Sequence, residues 1–321
     1  MIPESIKNSI SELEEKCKLI HPLVAIRCTA FNHERYIREC LDGFVIQKTD
    51  FPFVVIVHDD ASTDTTAGII KEYVDKYPDI FFPLFEQENQ YSKKLGIVTQ
   101  VMYEAIKATG AKYVAICEGD DYWVDPHKLQ KQIDFLEANP DYSITFHSAQ
   151  TVNETQHPDF SFNLEQRDYS SDETFMDWIV PTASIVMKTD ALKPSNDLRL
   201  LNGDIWFILS ALDQGKGYAF KEKWSAYRMQ NSGVTINRAV KDGVAHRLRF
   251  IPHHEYLRET FPKISKKAFR KKQALTYIQV AGESAKLGKS KSLKYIWRAF
   301  RIAPSSTLKS LFNIFSSKLK K

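Results

Sequence analysis

The sequence lacks the features that mark membrane-spanning and disulfide-stabilised proteins. Its 321 residues contain no run of about 18 or more apolar residues, so no transmembrane helix is predicted. Residues 1–18 are polar and include no apolar signal-peptide core. The four cysteines form no CxxC pair, which suggests neither a zinc site nor a disulfide framework. These absences favour a cytoplasmic protein with reduced thiols.

Glycine is scarce as well, at 12 residues, and no glycine-rich phosphate loop is present. Neither GxGxxG nor GxxxxGK followed by Ser or Thr occurs, which argues against a Rossmann dehydrogenase and a P-loop NTPase. The remaining composition, with 43% hydrophobic and 12% aromatic residues, is that of a globular protein. The length suits one sizeable α/β domain with an appendage.

Apolar segments with the character of strands alternate with amphipathic helices through residue 151. We predict strands at 22–29, 53–58, 80–85, 113–117 and 142–151, and helices at 34–47, 65–76, 97–109 and 126–139. This alternation predicts an α/β fold with a doubly wound, mostly parallel, Rossmann-like sheet. Residues 152–181 are predicted to be irregular and to face the substrate. Farther on we predict a strand at 183–188, a helix at 203–214 and an extended segment at 218–228.

Basic charge is concentrated in the C-terminal region. Residues 236–321 contain 21 Lys and Arg but 4 Asp and Glu, whereas the first 235 residues contain 23 and 36. Apolar side chains recur there at helical spacing, at Leu293, Ile296, Trp297, Phe300, Leu308, Leu311, Phe312, Phe315 and Leu319. Such basic amphipathic helices are typical of proteins that bind an anionic membrane surface. Alternatively, the apolar stripes pack on the rest of the chain and the lysines are solvated. Nucleic acid is disfavoured because no known binding motif accompanies the charge.

Carboxylates directly follow two of the predicted strands. Glu118, Asp120 and Asp121 follow the fourth strand, and Asp59 and Asp60 follow the second. Because ligands of open α/β sheets bind outside the carboxyl ends of the strands, we expect both groups to face one cleft. Oxygen ligands suit Mg²⁺ or Mn²⁺, so the cleft fits a nucleoside diphosphate with its metal. Alternatively, the later group is an acidic turn before the next helix.

Three motifs carry a resemblance to a known family. They are TAFN at 29–32 with Glu34, VHDDASTD at 57–64 and CEGDDYW at 117–123. In order and spacing they resemble the family 2 glycosyltransferases, inverting enzymes with the GT-A fold, of the type that builds bacterial surface polysaccharides. The resemblance covers about residues 22–235.

The resemblance implies a donor site. Thr29, Phe31 and Glu34 would contact the nucleobase, and Asp60 would bind its pyrimidine ring. The segment 227–234 is similar to the loop that closes over the donor diphosphate. Arg228 would contact the phosphates there, or would instead pair with a nearby carboxylate.

The resemblance also implies a metal site and a catalytic base. Glu118-Gly119-Asp120 matches the Asp-x-Asp motif of the family, with Glu in place of the first Asp. Glu118 would contact the donor nucleotide, and Asp120 would bind the Mg²⁺ or Mn²⁺ that bridges the diphosphate, with Asp121 as a close alternative. Asp204 would be the general base for the acceptor hydroxyl; alternatively, it is only a helix N-cap.

The implied activity is transfer of a sugar from a nucleoside-diphosphate donor, with UDP the most expected nucleotide, to a saccharide or lipid-linked acceptor. The implied location is the inner face of the cell membrane, in surface-polysaccharide synthesis. A nucleotidyltransferase is disfavoured because no Gly/Arg/Lys-rich triphosphate loop lies near the N-terminus. A non-catalytic nucleotide-sugar or membrane-binding module with the same fold is the other alternative. The expected regions are a helical arm at 1–21, the GT-A domain at 22–235 and a basic helical region at 236–321.

Overall fold

The computed structural model describes residues 2–93, 96–155, 160–230, 243–286 and 292–319. Within these ranges no helix combines the length and the apolar character needed to cross a membrane. The chain forms two compact units. The first comprises Met1–Ser170, Trp178–Asp197 and Asp204–Met229, and the second comprises Ser171–Asp177, Leu198–Gly203 and Gln230–Lys321.

A mixed sheet organises the first unit, and nine of its strands lie in the described residues. They are β1 (Val24–Ala30), β2 (Phe53–Asp59), β3 (Phe81–Phe85), β4 (Tyr113–Ile116), β5 (Tyr122–Trp123), β6 (Tyr142–Asn153), β7 (Arg167–Tyr169), β8 (Val186–Lys188) and β9 (Lys216–Met229). The order along the sheet is β3-β2-β1-β4-β8-β6-β9-β5, and β7 pairs with β9.

The first four strands of the sheet order, β3-β2-β1-β4, are all parallel to one another. All four residues of β4 are buried, as expected for a parallel strand with both faces covered. Strand β8 is antiparallel to β4 and β6, β5 and β7 are antiparallel to β9, and β6 pairs with β9 in parallel. The predicted α/β fold is confirmed, with a parallel half followed by a mixed half.

Helices flank the strands. They are α1 (Glu4–Ile20), α2 (Ile37–Val45), α3 (Thr66–Lys76), α4 (Gln90–Lys93), α5 (Ile97–Ala108), α6 (Lys128–Ala138) and α8 (Gly203–Gln214). All of these except the four-residue α4 bury apolar side chains. In α2, the apolar side chains of Ile37, Leu41 and Phe44 are fully buried. A Cβ at Gly43 would lie 2.8 Å from the backbone nitrogen of Trp123, so α2 packs closely against β5 because this position is glycine.

The segment 152–181 was predicted to be irregular, and this prediction is wrong for two short elements. Strand β7 forms there by pairing with β9, and helix α7 (Ser171–Met176) follows it. Both are too short to show a hydrophobic period, and β7 exists because a distant strand supplies its hydrogen-bonding partner. The strand predicted at 183–188 is shorter than expected, because a 3₁₀ turn occupies Thr182–Ser184 before β8.

The second unit is helical. It contains α7, α9 (Gly243–Leu248), α10 (Phe250–Thr260), α11 (Lys266–Lys286), α12 (Ser292–Ile302) and α13 (Pro304–Leu319). Asp172 of α7 accepts hydrogen bonds from the backbone N–H of Ser265 (2.7 Å) and from its hydroxyl (2.6 Å). A small apolar cluster of Ala274, Ile278 and Ala299 joins α11 to α12.

Candidate active site

The acidic motif at the end of β4 packs against the end of β1. The N–H of Gly119 donates to the carbonyl of Thr29 over 2.9 Å, and the Thr29 hydroxyl donates to Glu118. The other oxygen of Glu118 pairs with Nη1 of Arg27 at 2.7 Å. Burial raises the pKa of Glu118, while the charge of Arg27 opposes this shift. The Glu118 carboxylate is therefore held by β1 on both of its oxygens.

Gly119 has no room for a side chain. A Cβ at this position would lie 2.9 Å from Nδ1 of His33, 3.0 Å from Cδ1 of Ile37 and 3.1 Å from the Thr29 carbonyl oxygen. A Cβ there would displace the His33 ring and would require the Thr29 carbonyl to yield by a few tenths of an ångström. The glycine between Glu118 and Asp120 therefore lets the acidic motif lie directly on the end of β1.

Asp121 binds strand β9. Its Oδ1 accepts a hydrogen bond from the backbone N–H of Arg228 over 2.9 Å, and the residue is only 3% exposed. Burial, reinforced by the charge of Asp120, raises the pKa of Asp121 well above its usual range. Asp120 is partly exposed at the same turn.

Arg228 is enclosed rather than open to solvent. Its Nη1 donates to the carbonyl of Asp120 over 2.8 Å, and its Nη2 pairs with Glu39. The guanidinium lies 5.0 Å from the ring centroid of Tyr36 and 4.6 Å from that of Tyr122. The side chain is 4% exposed, so the interactions it makes are with the protein.

Asp204 lies in the first turn of α8, as predicted, and in electrostatic reach of the acidic motif. Burial raises the pKa of Asp204, and the charge of Asp120 raises it further. A hydrogen bond with the Thr182 side chain and the charge of Arg27 lower this pKa. The charge of Asp204 in turn raises the pKa of Glu118. The structure thus brings Asp204 together with Glu118 and Asp120, although about 84 residues separate them in the chain.

The end of β2 forms a second group beside β1. The N–H of Asp60 donates to the Ala30 carbonyl over 3.0 Å, which places Asp60 next to the TAFN motif. The carboxylate of Asp60 accepts hydrogen bonds from the N–H groups of Gln90 (2.7 Å) and Tyr91 (3.0 Å). It therefore orients the start of α4.

The two remaining predicted nucleobase contacts differ in their surroundings. The ring of Phe31 is 41% exposed. Glu34 accepts hydrogen bonds from the backbone N–H (3.2 Å) and the hydroxyl (2.9 Å) of Thr65, beside the start of α3. Residues 231–234 of the predicted diphosphate loop lie outside the described residues.

Among the described residues, no three His, Cys, Asp or Glu side chains come close enough together to hold a metal ion by themselves. Two polar or aromatic residues of this region pack in the interior: His147 is fully buried, and Trp206 is 3% exposed with its Nε1–H donated to the Lys193 carbonyl. His253 and His254 are also buried, and their rings lie 5.6 Å apart.

The sequence analysis missed two residues of the site. Arg27 pairs with Glu118, and Thr182 makes a hydrogen bond with Asp204. Arg27 could have been found from the sequence, since a lone charge inside the apolar strand VAIRCTA requires a buried partner. Thr182 could not, because its role depends on how α8 packs. Tyr227 lies in the predicted diphosphate loop, and the structure places it in electrostatic reach of Asp121, Asp120 and Asp204.

Comparison with known proteins identifies the fold class and the family of this chain. The mixed sheet and its acidic strand ends define a GT-A-like α/β protein. The chain belongs to glycosyl transferase family 2, whose family profile matches residues 28–187. An uncharacterised protein of Mycobacterium tuberculosis is 39% identical over 176 residues, which cover 54% of this chain and 48% of the relative. The chain thus spans about half the length of the first curated relatives it matches.

A further relative and two solved structures are also similar to this chain. TuaG of Bacillus subtilis, named for teichuronic acid biosynthesis, is 24% identical over 222 residues, covering 68% of this chain and 83% of TuaG. S. aureus TarS 1–349, solved with UDP-GlcNAc, matches with a TM-score of 0.52 and 17% identity over 82% of this chain and 83% of TarS 1–349. A mannosyltransferase of Pyrobaculum calidifontis, solved with GDP-Man and Mn²⁺, matches with a TM-score of 0.55 and 13% identity over 97% of this chain and 89% of that protein. At identities of 17% and 13%, the similarity to the two solved structures establishes a shared fold.

Proposed function

We propose that this protein is a metal-dependent, inverting glycosyltransferase that uses a nucleoside-diphosphate sugar. The observation that carries the proposal is the convergence of Asp204 with Asp120 at the carboxyl ends of the strands. Family membership supplies the reaction class. We assign the catalytic domain to residues 22–235 and the basic helical region to 236–321.

In the proposed reaction Asp204 is the general base. Its carboxylate takes the proton of an acceptor hydroxyl while that oxygen attacks the anomeric carbon of the donor sugar. The bond from the anomeric carbon to the diphosphate oxygen breaks on the opposite side, and the nucleoside diphosphate leaves with the electron pair. A single displacement inverts the anomeric centre, and the raised pKa of Asp204 makes it a stronger base than an ordinary aspartate.

The donor set fits a divalent cation. Mg²⁺ is typically held by one or two carboxylates together with substrate phosphates, so a cage of three protein ligands is not required. The crowded, like-charged carboxylates at the end of β4 would be relieved by a cation. We propose Asp120 as its principal ligand, since one oxygen of Asp121 is already bound to the backbone of Arg228. When bound, the metal would stabilise the charge of the leaving diphosphate.

We propose that the donor nucleotide lies over the ends of β1 and β2. Thr29 and Glu118 form one wall, and Asp60, Phe31 and Glu34 line the approach to the nucleobase. The exposed ring of Phe31 is suited to stacking on a base. UDP is the first nucleotide to test, and the fold neighbours that carry UDP-GlcNAc and GDP-Man make both UDP and GDP reasonable.

For Arg228 we propose a positioning role in place of a phosphate contact. The guanidinium binds the Asp120 carbonyl and Glu39, and it is almost fully enclosed. It would therefore fix the backbone at the metal ligand instead of reaching the donor.

We propose a saccharide or lipid-linked acceptor in surface-polysaccharide synthesis, a role supported by the name of TuaG. An anionic membrane is the proposed partner of the C-terminal helices. Trp297 and Phe300 of α12 stack with ring centroids 6.1 Å apart, and Trp297 is 62% exposed. In α13, Leu308 and Phe312 are 58% and 71% exposed. Exposed aromatic and aliphatic side chains on basic helices suit the membrane interface.

A thermal-shift experiment tests the proposed function. It compares UDP, GDP, dTDP and CMP, each with and without Mn²⁺, on the wild type and on Asp120→Ala. We expect one nucleoside diphosphate to raise the Tm in a metal-dependent way, and we expect Asp120→Ala to lose this shift. Ligand at about 100 times its Kd adds about 2.7 kcal/mol to the free energy of unfolding, which is readily measured. No shift with any nucleotide would favour the non-catalytic alternative.

A further inference from the structure

Four aromatic side chains form a cluster at the surface of the first unit. Phe160 and Trp178 stack with ring planes 4° apart and centroids 5.6 Å apart. Phe162 and Tyr227 pack edge-on against Trp178, at 5.1 and 5.4 Å. Phe162 is buried, whereas Trp178 is 49% exposed and Phe160 is 38% exposed. The cluster therefore has a buried base and an outer pair of rings that meets solvent.

The cluster adjoins the acidic site through Tyr227. This residue directly precedes Arg228, whose N–H binds Asp121. Burial raises the pKa of Tyr227, and the charges of Asp121, Asp120 and Asp204 raise it further. One ring of the cluster thus lies in electrostatic reach of the carboxylates that we assign to the metal and to the acceptor hydroxyl.

The cluster and the proposed nucleotide site lie on opposite sides of β4 in the sheet. Phe31 and Asp60 follow β1 and β2, on the β3 side of β4. Tyr227 lies on β9 and pairs with Thr151 of β6, and Phe162 bridges Ala149 of β6, so both belong to the other half. A molecule on the aromatic cluster would approach the carboxylates from the side away from the nucleotide.

We infer that the exposed rings of Phe160 and Trp178 bind a pyranose ring of the acceptor saccharide. The inference rests on the proposed function, because it places the acceptor at the same carboxylates. A pyranose has an apolar C–H face that can cover an aromatic ring, and its hydroxyls can donate to the neighbouring carboxylates. Sites for small polar molecules commonly combine aromatic walls with a few convergent polar groups. A nucleobase could also stack on these rings, but its proposed contacts lie across β4.

Fluorine NMR tests this inference on the full chain. Protein labelled with 5-fluorotryptophan contains five labelled tryptophans, and Trp178→Phe assigns the resonance of Trp178. The probes are the methyl glycosides of glucose, galactose, mannose, N-acetylglucosamine and N-acetylgalactosamine. UDP and Mg²⁺ are present, because Mg²⁺ is diamagnetic and does not broaden fluorine resonances as Mn²⁺ would. We expect at least one to shift the Trp178 resonance saturably, while the resonance of Trp297 in the second unit, assigned with Trp297→Ala, stays unchanged. No saturable shift with any of the five would overturn the inference.

Variants separate stacking from a general effect on the fold. For the glycoside with the largest effect, Trp178→Ala should weaken binding by about tenfold, as expected when an aromatic contact is lost, and Trp178→Phe by less. Trp297→Ala removes a tryptophan that is 62% exposed from the second unit and should leave the affinity unchanged. Equal affinity in Trp178→Ala and wild type would contradict the inference. The nucleotide thermal shift, measured on the same samples, reports the proposed function separately: if it persists while glycosides fail to bind, only this inference fails.

Discussion

The backbone N–H of Arg228 donates a hydrogen bond to Oδ1 of Asp121, and this 2.9 Å contact ties β9 to the acidic turn after β4. The Arg228 side chain binds the carbonyl of Asp120 on the same turn. One residue thus fastens two consecutive aspartates, one through its backbone and one through its side chain. This arrangement supports the proposal that Asp121 holds the turn while Asp120 is the metal ligand.

Two substitutions of Asp121 separate these roles. Asp121→Asn retains an oxygen acceptor for the Arg228 N–H and removes a buried charge. It should therefore keep the Tm near that of the wild type and keep the Mn²⁺-dependent nucleotide shift. Asp121→Ala leaves the N–H unpaired and should lower the free energy of unfolding by about 1–3 kcal/mol, measured by urea denaturation. An Asp121→Asn protein that folds normally but loses the metal-dependent shift would make Asp121 the metal ligand.

Gly119→Ala should damage the site without unfolding the protein. The new Cβ would lie 2.9 Å from Nδ1 of His33 and 3.1 Å from the Thr29 carbonyl oxygen, so we expect the His33 ring to be displaced and the acidic turn to shift by a few tenths of an ångström. We expect nucleotide affinity in the presence of Mn²⁺ to fall by about tenfold or more, since a displacement of that kind disturbs preorganised contacts. Titration calorimetry measures this change.

Gly68→Ala is the matched control for Gly119→Ala. Gly68 lies in helix α3 with no atom within 4 Å of an added Cβ. Alanine there should raise the free energy of unfolding by about 0.5–1 kcal/mol and leave nucleotide affinity unchanged. If both alanine variants bind nucleotide as the wild type does, the close packing at Gly119 does not matter for the site.

The pH dependence of turnover should report Asp204. A general base acts only when deprotonated, so kcat falls as the pH falls through the pKa of Asp204. Because burial raises this pKa, the acid limb should lie above the ordinary aspartate value of about 3.9. Thr182→Val removes a hydrogen bond that lowers the pKa, so it should move the acid limb to higher pH.

The control for Thr182→Val is Thr276→Val, which removes a buried threonine hydroxyl from α11 in the second unit. Its pH–rate profile should match that of the wild type. An acid limb at the same pH in Thr182→Val and wild type would show that Asp204 is not the group that titrates.

The C-terminal helices should bind anionic vesicles. Deleting residues 304–321, or changing both Leu308 and Phe312 to Ser, should leave the protein in the supernatant after sedimentation with phosphatidylglycerol vesicles. Binding by the wild type should weaken as salt is added, because it combines apolar insertion with charge attraction. Leu19→Ser removes an 84% exposed leucine from α1 and serves as the control, with binding unchanged. Vesicle binding that survives the deletion would contradict a membrane role for these helices.

The sequence predicted much of the fold because its signals are local. Strands β1, β2 and β4 are mostly apolar, and the carboxylates at the ends of β2 and β4 are visible in the chain. What it could not predict depends on distant partners. Arg228 pairs with Glu39, 189 positions away, and β7 forms only because β9 lies beside it. The aromatic cluster likewise joins Trp178 to Tyr227 through packing that no period in the sequence records.

Turnover by Asp204→Asn most directly tests whether Asp204 is the general base. The rate is measured as release of the nucleoside diphosphate from the nucleotide sugar that thermal shift identifies. We predict that kcat falls by about 10²–10⁴-fold, the usual contribution of a general base, while the nucleotide thermal shift persists. Asp213→Asn, on the same helix, should retain wild-type turnover. Wild-type turnover in Asp204→Asn would show that Asp204 is not the general base.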